Sequence, residues 1–244
     1  MYECDIHFTF MNTIFLLHDR VSNILVRNMV LLKRTLLFFA FFSLLGIFVP
    51  EWRKDFGEQA LNVLLFLLFL SPISKILGMR LLVLLMSYRR QLGILMGALA
   101  IVHGSGYLFD LFQLNPNTGA WGFVSSWFVD SAFALGVCAL LLTVPLLLTS
   151  NDFSTKWLGI YWKRVQFLAY PLLFFAVFHK FATEHGAGVQ RAIPPTFFVL
   201  GIYLLLKFWA YRGMPSILVS VRDQISSRYR SFLASRSSVT HVSH

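Results

Sequence analysis

Charge is what this sequence is short of. Asp, Glu, Lys and Arg make up 13% of its 244 residues, where a soluble domain carries about a quarter. That scarcity, with 57% hydrophobic residues and a mean hydropathy of +0.68, excludes both a water-soluble enzyme and a disordered chain. Cysteine is nearly absent as well. Cys4 and Cys138 form no CxxC pair and no zinc-type spacing, which excludes a disulfide scaffold and a thiolate metal site. No GxGxxG loop occurs, so the chain is expected to have no dinucleotide-binding domain of its own. Acidic residues number 11 against 21 basic ones, for a net charge of +10. In a soluble chain that surplus would point to nucleic acid. Here the Lys and Arg flank apolar runs, where they set orientation and meet anionic headgroups. The expected partner is therefore membrane lipid, with no nucleic acid.

The apolar residues come in long runs. About 18 of them in a row suffice to cross a bilayer, and unpaired backbone groups in lipid force such runs to be helices. Six spans can be drawn, approximately at residues 31–49, 60–77, 92–112, 127–149, 165–182 and 195–210. Pro50 and "EWRKDFGE" end the first, and "SPISK" breaks the far end of the second. Pro171 lacks a backbone donor and is expected to kink the fifth. One side of the membrane receives Arg20, Arg27, Lys33, Arg34, Lys75, Arg80, Arg89, Arg90, Lys156, Lys163, Arg164 and the tail beyond Lys207. The other receives Arg53, Lys54, Lys180 and Arg191. By the positive-inside rule both termini are cytoplasmic. The expected architecture is an all-α integral membrane protein of the inner membrane, a six-transmembrane-helix bundle. Residues 1–29 form a cytoplasmic segment, 30–212 the six-helix domain and 213–244 a basic amphipathic tail. No cleavable signal peptide is expected, and Met11 or Met29 are alternative starts.

Polar residues inside spans are costly and each is a functional candidate. His103 lies 103 − 92 = 11 residues into the third span and His179 lies 179 − 165 = 14 residues into the fifth. At 1.5 Å per residue these depths are roughly 17 and 21 Å from the cytoplasmic side. Two imidazoles at one level suit the axial positions of a b-type heme. They equally suit hydrogen-bonded helix contacts or a proton relay. Leu92, Met96, Leu99, Gly106, Tyr107 and Asp110 share the helical side of His103, while Gly93, Gly97 and Gly104 offer a second face for close helix packing.

"RRQLGILMGALAIVHGSGY" resembles the third span of ferric-reductase-like transmembrane domains, and "PLLLTSNDFSTKWLGIYWKRVQFLAY…FH" is similar to a later stretch of that family. Within the family the chain most resembles the MsrQ/YedZ type of heme-binding subunit, over roughly residues 57–212. The resemblance implies b-type heme, with His103 and His179 as axial ligands of the iron, and electron transfer across the membrane. It implies quinol (the quinone pool) or a flavin such as FMN as donor, and an outward acceptor such as a periplasmic reductase partner. A third family histidine falls at Gln166, a poor iron ligand, 179 − 166 = 13 residues from His179, or about 20 Å along a helix. One heme per chain is therefore expected, with the inner site lost. The family's Arg-Pro opening of the fourth span is Asp130-Ser131 here, where Asp130 would cap the helix or bind a cation.

Three functions remain open. The first is a heme electron-transfer subunit rather than a complete enzyme, with no catalytic residue of its own. The second is direct ferric or cupric reduction at the outer face, where Asp110, Asp130, Glu184 and His185 would gather metal. The third is a non-redox relative whose histidines carry protons or nothing. Arg89, Arg90, Lys163 and Arg164 would meet lipid headgroups, a flavin phosphate or a quinone headgroup.

Overall fold

A computed structural model describes residues 2–114, 131–186 and 195–212, with isolated positions between 219 and 231. Every element among the described residues is helical, as the apolar runs require: α1 (Tyr2–Arg27), α2 (Met29–Ser43), a 3-10 helix (Leu44–Phe48), α3 (Trp52–Leu77), α4 (Arg80–Met86) and α5 (Arg89–Leu114). There follow α6 (Ser131–Leu148), α7 (Asp152–Leu158), α8 (Ile160–Gln166), α9 (Ala169–Gly186) and α10 (Pro195–Arg212). Four helical stretches are long and apolar enough to cross a membrane, namely Met29–Phe48, Trp52–Leu77, Arg89–Phe109 and Ile160–Thr183. A fifth arises if α6 and α7, bent by 89°, count as one broken span. The protein is thus a multi-pass membrane protein. The sixth expected span coincides with α10, whose second half carries Lys207, Tyr211 and Arg212 and which is not among those stretches.

Several boundaries differ from the sequence expectation. The second span begins at Trp52, so "WRKDFGE" is helix, with Asp55 in its first turn where a carboxylate meets the positive end of the helix dipole. "SPISK" does not break that helix, which carries Pro72 in its interior and runs on to Leu77. The segment 1–29, read only as a cytoplasmic extension, contains a helix of 26 residues. The fifth span is interrupted just before Pro171. With no N–H at Pro171 to reach the carbonyl of Phe167, Tyr170 N–H bonds it in a 3-10 turn at 3.1 Å. Residues 115–130, Asp130 among them, and nearly all of the tail beyond residue 212 lie outside the described residues.

The chain divides into two compact units. The first comprises Met1–Leu32, Phe69–Tyr88 and Tyr203–His244. Within it, α1 packs on α4 through a polar seam. His18, Asp19 and Ser22 are buried there. The backbone N–H of Leu81 donates to His18 Nε2 at 3.2 Å, Tyr88 Oη donates to the carbonyl of Leu25 at 3.1 Å, and Arg80 stands 3.9 Å from Asp19. Phe69 packs on Tyr203, and Lys75 lies over the Tyr211 ring.

The second unit comprises Lys33–Leu68 and Arg89–Ile202. Here α6 packs against both α5 and α9, and the 3-10 helix packs on α5. Val102, Val177 and Thr143 are its most completely buried side chains. Close approach of α5 and α6 rests on glycine. A Cβ at Gly97 would meet Leu147 at 2.9 Å and one at Gly104 would meet Leu140 at 2.8 Å. Gly93, expected on the same face, has nothing within 4 Å.

Candidate functional site

His103 and His179 come together in the second unit. Their ring centroids are 6.0 Å apart and their planes cross at 73°. Both rings are half-buried. His103 Nδ1 lies 2.8 Å from the carbonyl oxygen of Arg53, and His179 Nδ1 lies 2.7 Å from that of Ala132. A carbonyl oxygen can only accept, so Nδ1 donates in each case, and in the neutral ring this leaves Nε2 its lone pair.

The same local device seats both rings. Arg53 and Ala132 stand in the first turns of α3 and α6, and the residue four positions on is glycine in each case, Gly57 and Gly136. Cβ atoms on a helix tilt toward its N-terminus, so a side chain four residues on covers the carbonyl below it. A Cβ at Gly57 would stand 2.5 Å from His103 Nδ1, and one at Gly136 would stand 2.9 Å from His179 Nδ1. Glycine therefore opens each carbonyl to its imidazole.

Arg53 is buried, although the sequence grouped it with outer-loop charges. Its Nη1 donates to the carbonyl of Gly106 on α5 at 3.2 Å, and its Nη2 donates to that of Ile47 in the 3-10 helix at 3.4 Å. Tyr107 meets the His103 ring edge-on, with centroids 5.1 Å apart. Phe178 and Phe181 both stack edge-on against Phe197, building an aromatic wall on the neighbours of His179.

Gln166 belongs to a different cluster. Its Nε2 donates to Thr149 Oγ1 at 3.2 Å, and Trp162 Nε1 donates to the carbonyl of Thr149 at 2.9 Å. Thr149 Oγ1 itself donates to the carbonyl of Pro145 at 2.7 Å. Arg90 pairs with Asp152 beside this cluster. The side chains of Asp110, Asp130, Glu184 and His185 lie outside the described residues. Among the described residues, no group of three or more His, Cys, Asp and Glu side chains is placed to hold a metal ion.

The family description "Ferric reductase like transmembrane component" matches residues 56–177, which is half of the chain. The chain belongs to this ferric-reductase-like transmembrane family. His103 falls inside the matched segment and His179 two residues beyond its end. Curated relatives include proteins named protein-methionine-sulfoxide reductase heme-binding subunit MsrQ. That of Brucella anthropi is 33% identical over 122 residues, covering 50% of this chain and 52% of the relative. The Brucella ovis protein matches to the same extent. That of Agrobacterium fabrum is 27% identical over 176 residues, covering 72% of this chain and 75% of the relative. The chain thus spans about half the length of the Brucella relatives it matches. No solved structure matches it.

Sequence reading singled out His103 and His179, which the structure brings together, and missed what seats them. A signal was present for one of them: Gly in a helix interior costs about 1 kcal/mol against Ala, so Gly136 inside an apolar span needed a reason, whereas Gly57 stood in a segment that reads as loop.

Proposed function

We propose that this chain is a membrane electron-transfer subunit that binds one b-type heme per chain through His103 and His179. The observation that supports it is the pair of imidazoles whose Nδ1 protons are held by helix carbonyls while both Nε2 atoms remain available as ligands. Two imidazoles bound through Nε2 to one metal at about 2 Å each have ring centres roughly 6 Å apart, and the observed spacing is 6.0 Å. Two protein nitrogens are also what a metalloporphyrin, with its own four equatorial nitrogens, leaves to be supplied. The donor set therefore fits. The relatives' printed name, heme-binding subunit, points the same way.

When bound, the heme supplies reversible one-electron carriage. The chain's own residues do the rest. His103 and His179 would hold the iron, and the carbonyls of Arg53 and Ala132 would fix their tautomers. In this reading six helices, α10 the last, cross the inner membrane with both termini cytoplasmic. Residues 30–212 form the membrane domain between a cytoplasmic segment and the basic tail. Electrons enter from quinol or flavin on the cytoplasmic side and leave to an outward partner. The relatives' name, which mentions a protein-methionine-sulfoxide reductase, supports a reductase of that kind as the partner.

The test is the reduced-minus-oxidised absorption spectrum of the purified full chain expressed with ample heme. A b-type difference spectrum, one heme per chain, is expected in the wild type and is expected to vanish in both His103→Ala and His179→Ala. A colourless wild type overturns the proposal. Reduction of chelated iron by the purified chain alone would replace the partner reductase with direct metal reduction.

A further inference from the structure

The contact between α3 and α5 is reciprocal. α3 offers the notch at Gly57, and the His103 ring of α5 fills it, 2.5 Å from where a Cβ would stand. α5 offers the notch at Gly106, and the Arg53 side chain of α3 fills it, with Cδ and Nε both 2.5 Å from where a Cβ would stand. Each inserted side chain then bonds a backbone carbonyl of the opposite helix: His103 Nδ1 to Arg53 and Arg53 Nη1 to Gly106. One residue, Arg53, thus supplies the acceptor for the imidazole through its main chain and fastens that main chain through its side chain. Its second nitrogen extends the clasp to Ile47 in the 3-10 helix. The guanidinium suits this use because its planar fork reaches two acceptors in fixed directions, which an ammonium does not.

From this geometry we propose that Arg53 is the positioning residue for His103: its guanidinium, clasping Gly106 and Ile47, holds its own carbonyl where that carbonyl dictates the ring's tautomer and orientation. The inference rests on the heme reading for its purpose, but its first consequence concerns the imidazole alone. Without the clasp the start of α3 is no longer fastened to α5 one turn beyond the histidine. The Arg53 carbonyl then drifts from Nδ1, and the proton redistributes between the two ring nitrogens.

The test compares the wild type, Arg53→Lys, Arg53→Met and Gly106→Ala as full-length chains in lipid nanodiscs. Gly106→Ala keeps Arg53 but pushes its side chain out of the notch, so one variant remains if another fails to fold. The first readout is the nitrogen-15 spectrum of labelled histidine in the heme-free chains, with His179 as internal control for folding. The expected wild-type signal for His103 is the single Nδ1–H tautomer. Arg53→Met and Gly106→Ala are expected to give mixed tautomers while His179 is unchanged, with Arg53→Lys between. The second readout is heme affinity and the low-spin signal of the iron. A loss of about 10- to 100-fold in affinity is expected for Arg53→Met, the range for removing an outer partner of a metal-binding histidine. A single unshifted His103 tautomer in folded Arg53→Met and Gly106→Ala overturns the role of Arg53. A wild type that takes up no heme sinks the heme reading instead and leaves the tautomer result to decide this one.

Discussion

A carbonyl inside a helix accepts from the amide four residues on and still has a second lone pair, but a side chain at that fourth residue screens it. Gly57 and Gly136 lift the screen at Arg53 and Ala132, and the two imidazoles use what is uncovered. Alanine at either glycine is expected to separate the ring from its carbonyl. Helix propensity alone would favour the change by about 1 kcal/mol, but the added Cβ would stand within 3 Å of the ring and the ring would lose its hydrogen bond, which outweighs that gain. Heme titration of Gly57→Ala and Gly136→Ala should show affinity lowered about 10- to 100-fold, with an earlier thermal melt of the heme-free chain. Gln166→Ala supplies the contrast. It removes one hydrogen bond to Thr149, worth about 1 kcal/mol, and should leave the heme difference spectrum and its stoichiometry as in the wild type. A change in the number of hemes per chain would show that Gln166 had been wrongly separated from the ligand set.

Between α6 and α7 the chain turns through 89° within a few residues, and hydrogen bonds hold that elbow. Ser150 Oγ donates to the carbonyl of Leu146 at 2.6 Å, and Asn151 caps α7 by accepting from the N–H of Ser154 at 2.7 Å. Side chains of Ser, Thr and Asn compete with the helix ladder in this way and so end helices. Asn151→Ala is expected to lower stability by about 1 kcal/mol, read as an earlier thermal melt with the heme spectrum intact. Arg90→Ala should cost less, because Asp152 is largely exposed and such pairs are worth little in water. How much the residues disclosed can be judged here. The run "TSND" in "LLLTSNDFSTKW" announces a helix end, and the structure has one. The start of α3 was hidden, because "EWRKDFGE" carries the charges of a loop while its Arg53 is buried by contacts from α5 and the 3-10 helix. The contact with α5 comes from 53 residues away in sequence and leaves no local periodicity to read.

At the scale of the whole chain, hydrophobic run length disclosed the helical membrane class and the depth count placed two histidines level, because both follow from a fixed rise per residue. The helix at Tyr2–Arg27 escaped that reasoning, since its buried side is polar. The same polarity makes it sensitive to pH. Burial lowers the pKa of His18 from its usual 6.5, opposed by Asp19 and reinforced by Arg80. The folded state therefore disfavours the charged ring. Its contribution to the docking of α1 is fully present above about pH 6.5, where folded and unfolded His18 are both neutral, and is lost as pH falls below that value. Proteolysis within residues 1–27 should accelerate as pH is lowered through this window, and His18→Gln, which keeps an acceptor but cannot titrate there, should flatten the response. An unchanged cleavage rate from pH 7.5 to about pH 5 would remove His18 from the seam's control. The paired-histidine centre has the opposite kind of vulnerability. Its outer acceptors are main-chain atoms, present whatever amino acid the codon specifies, so no substitution can delete them. Beyond the two histidines themselves, mutational sensitivity passes to residues with no side chain to lose, and a saturation screen should find Gly57 and Gly136 intolerant of even one added carbon atom.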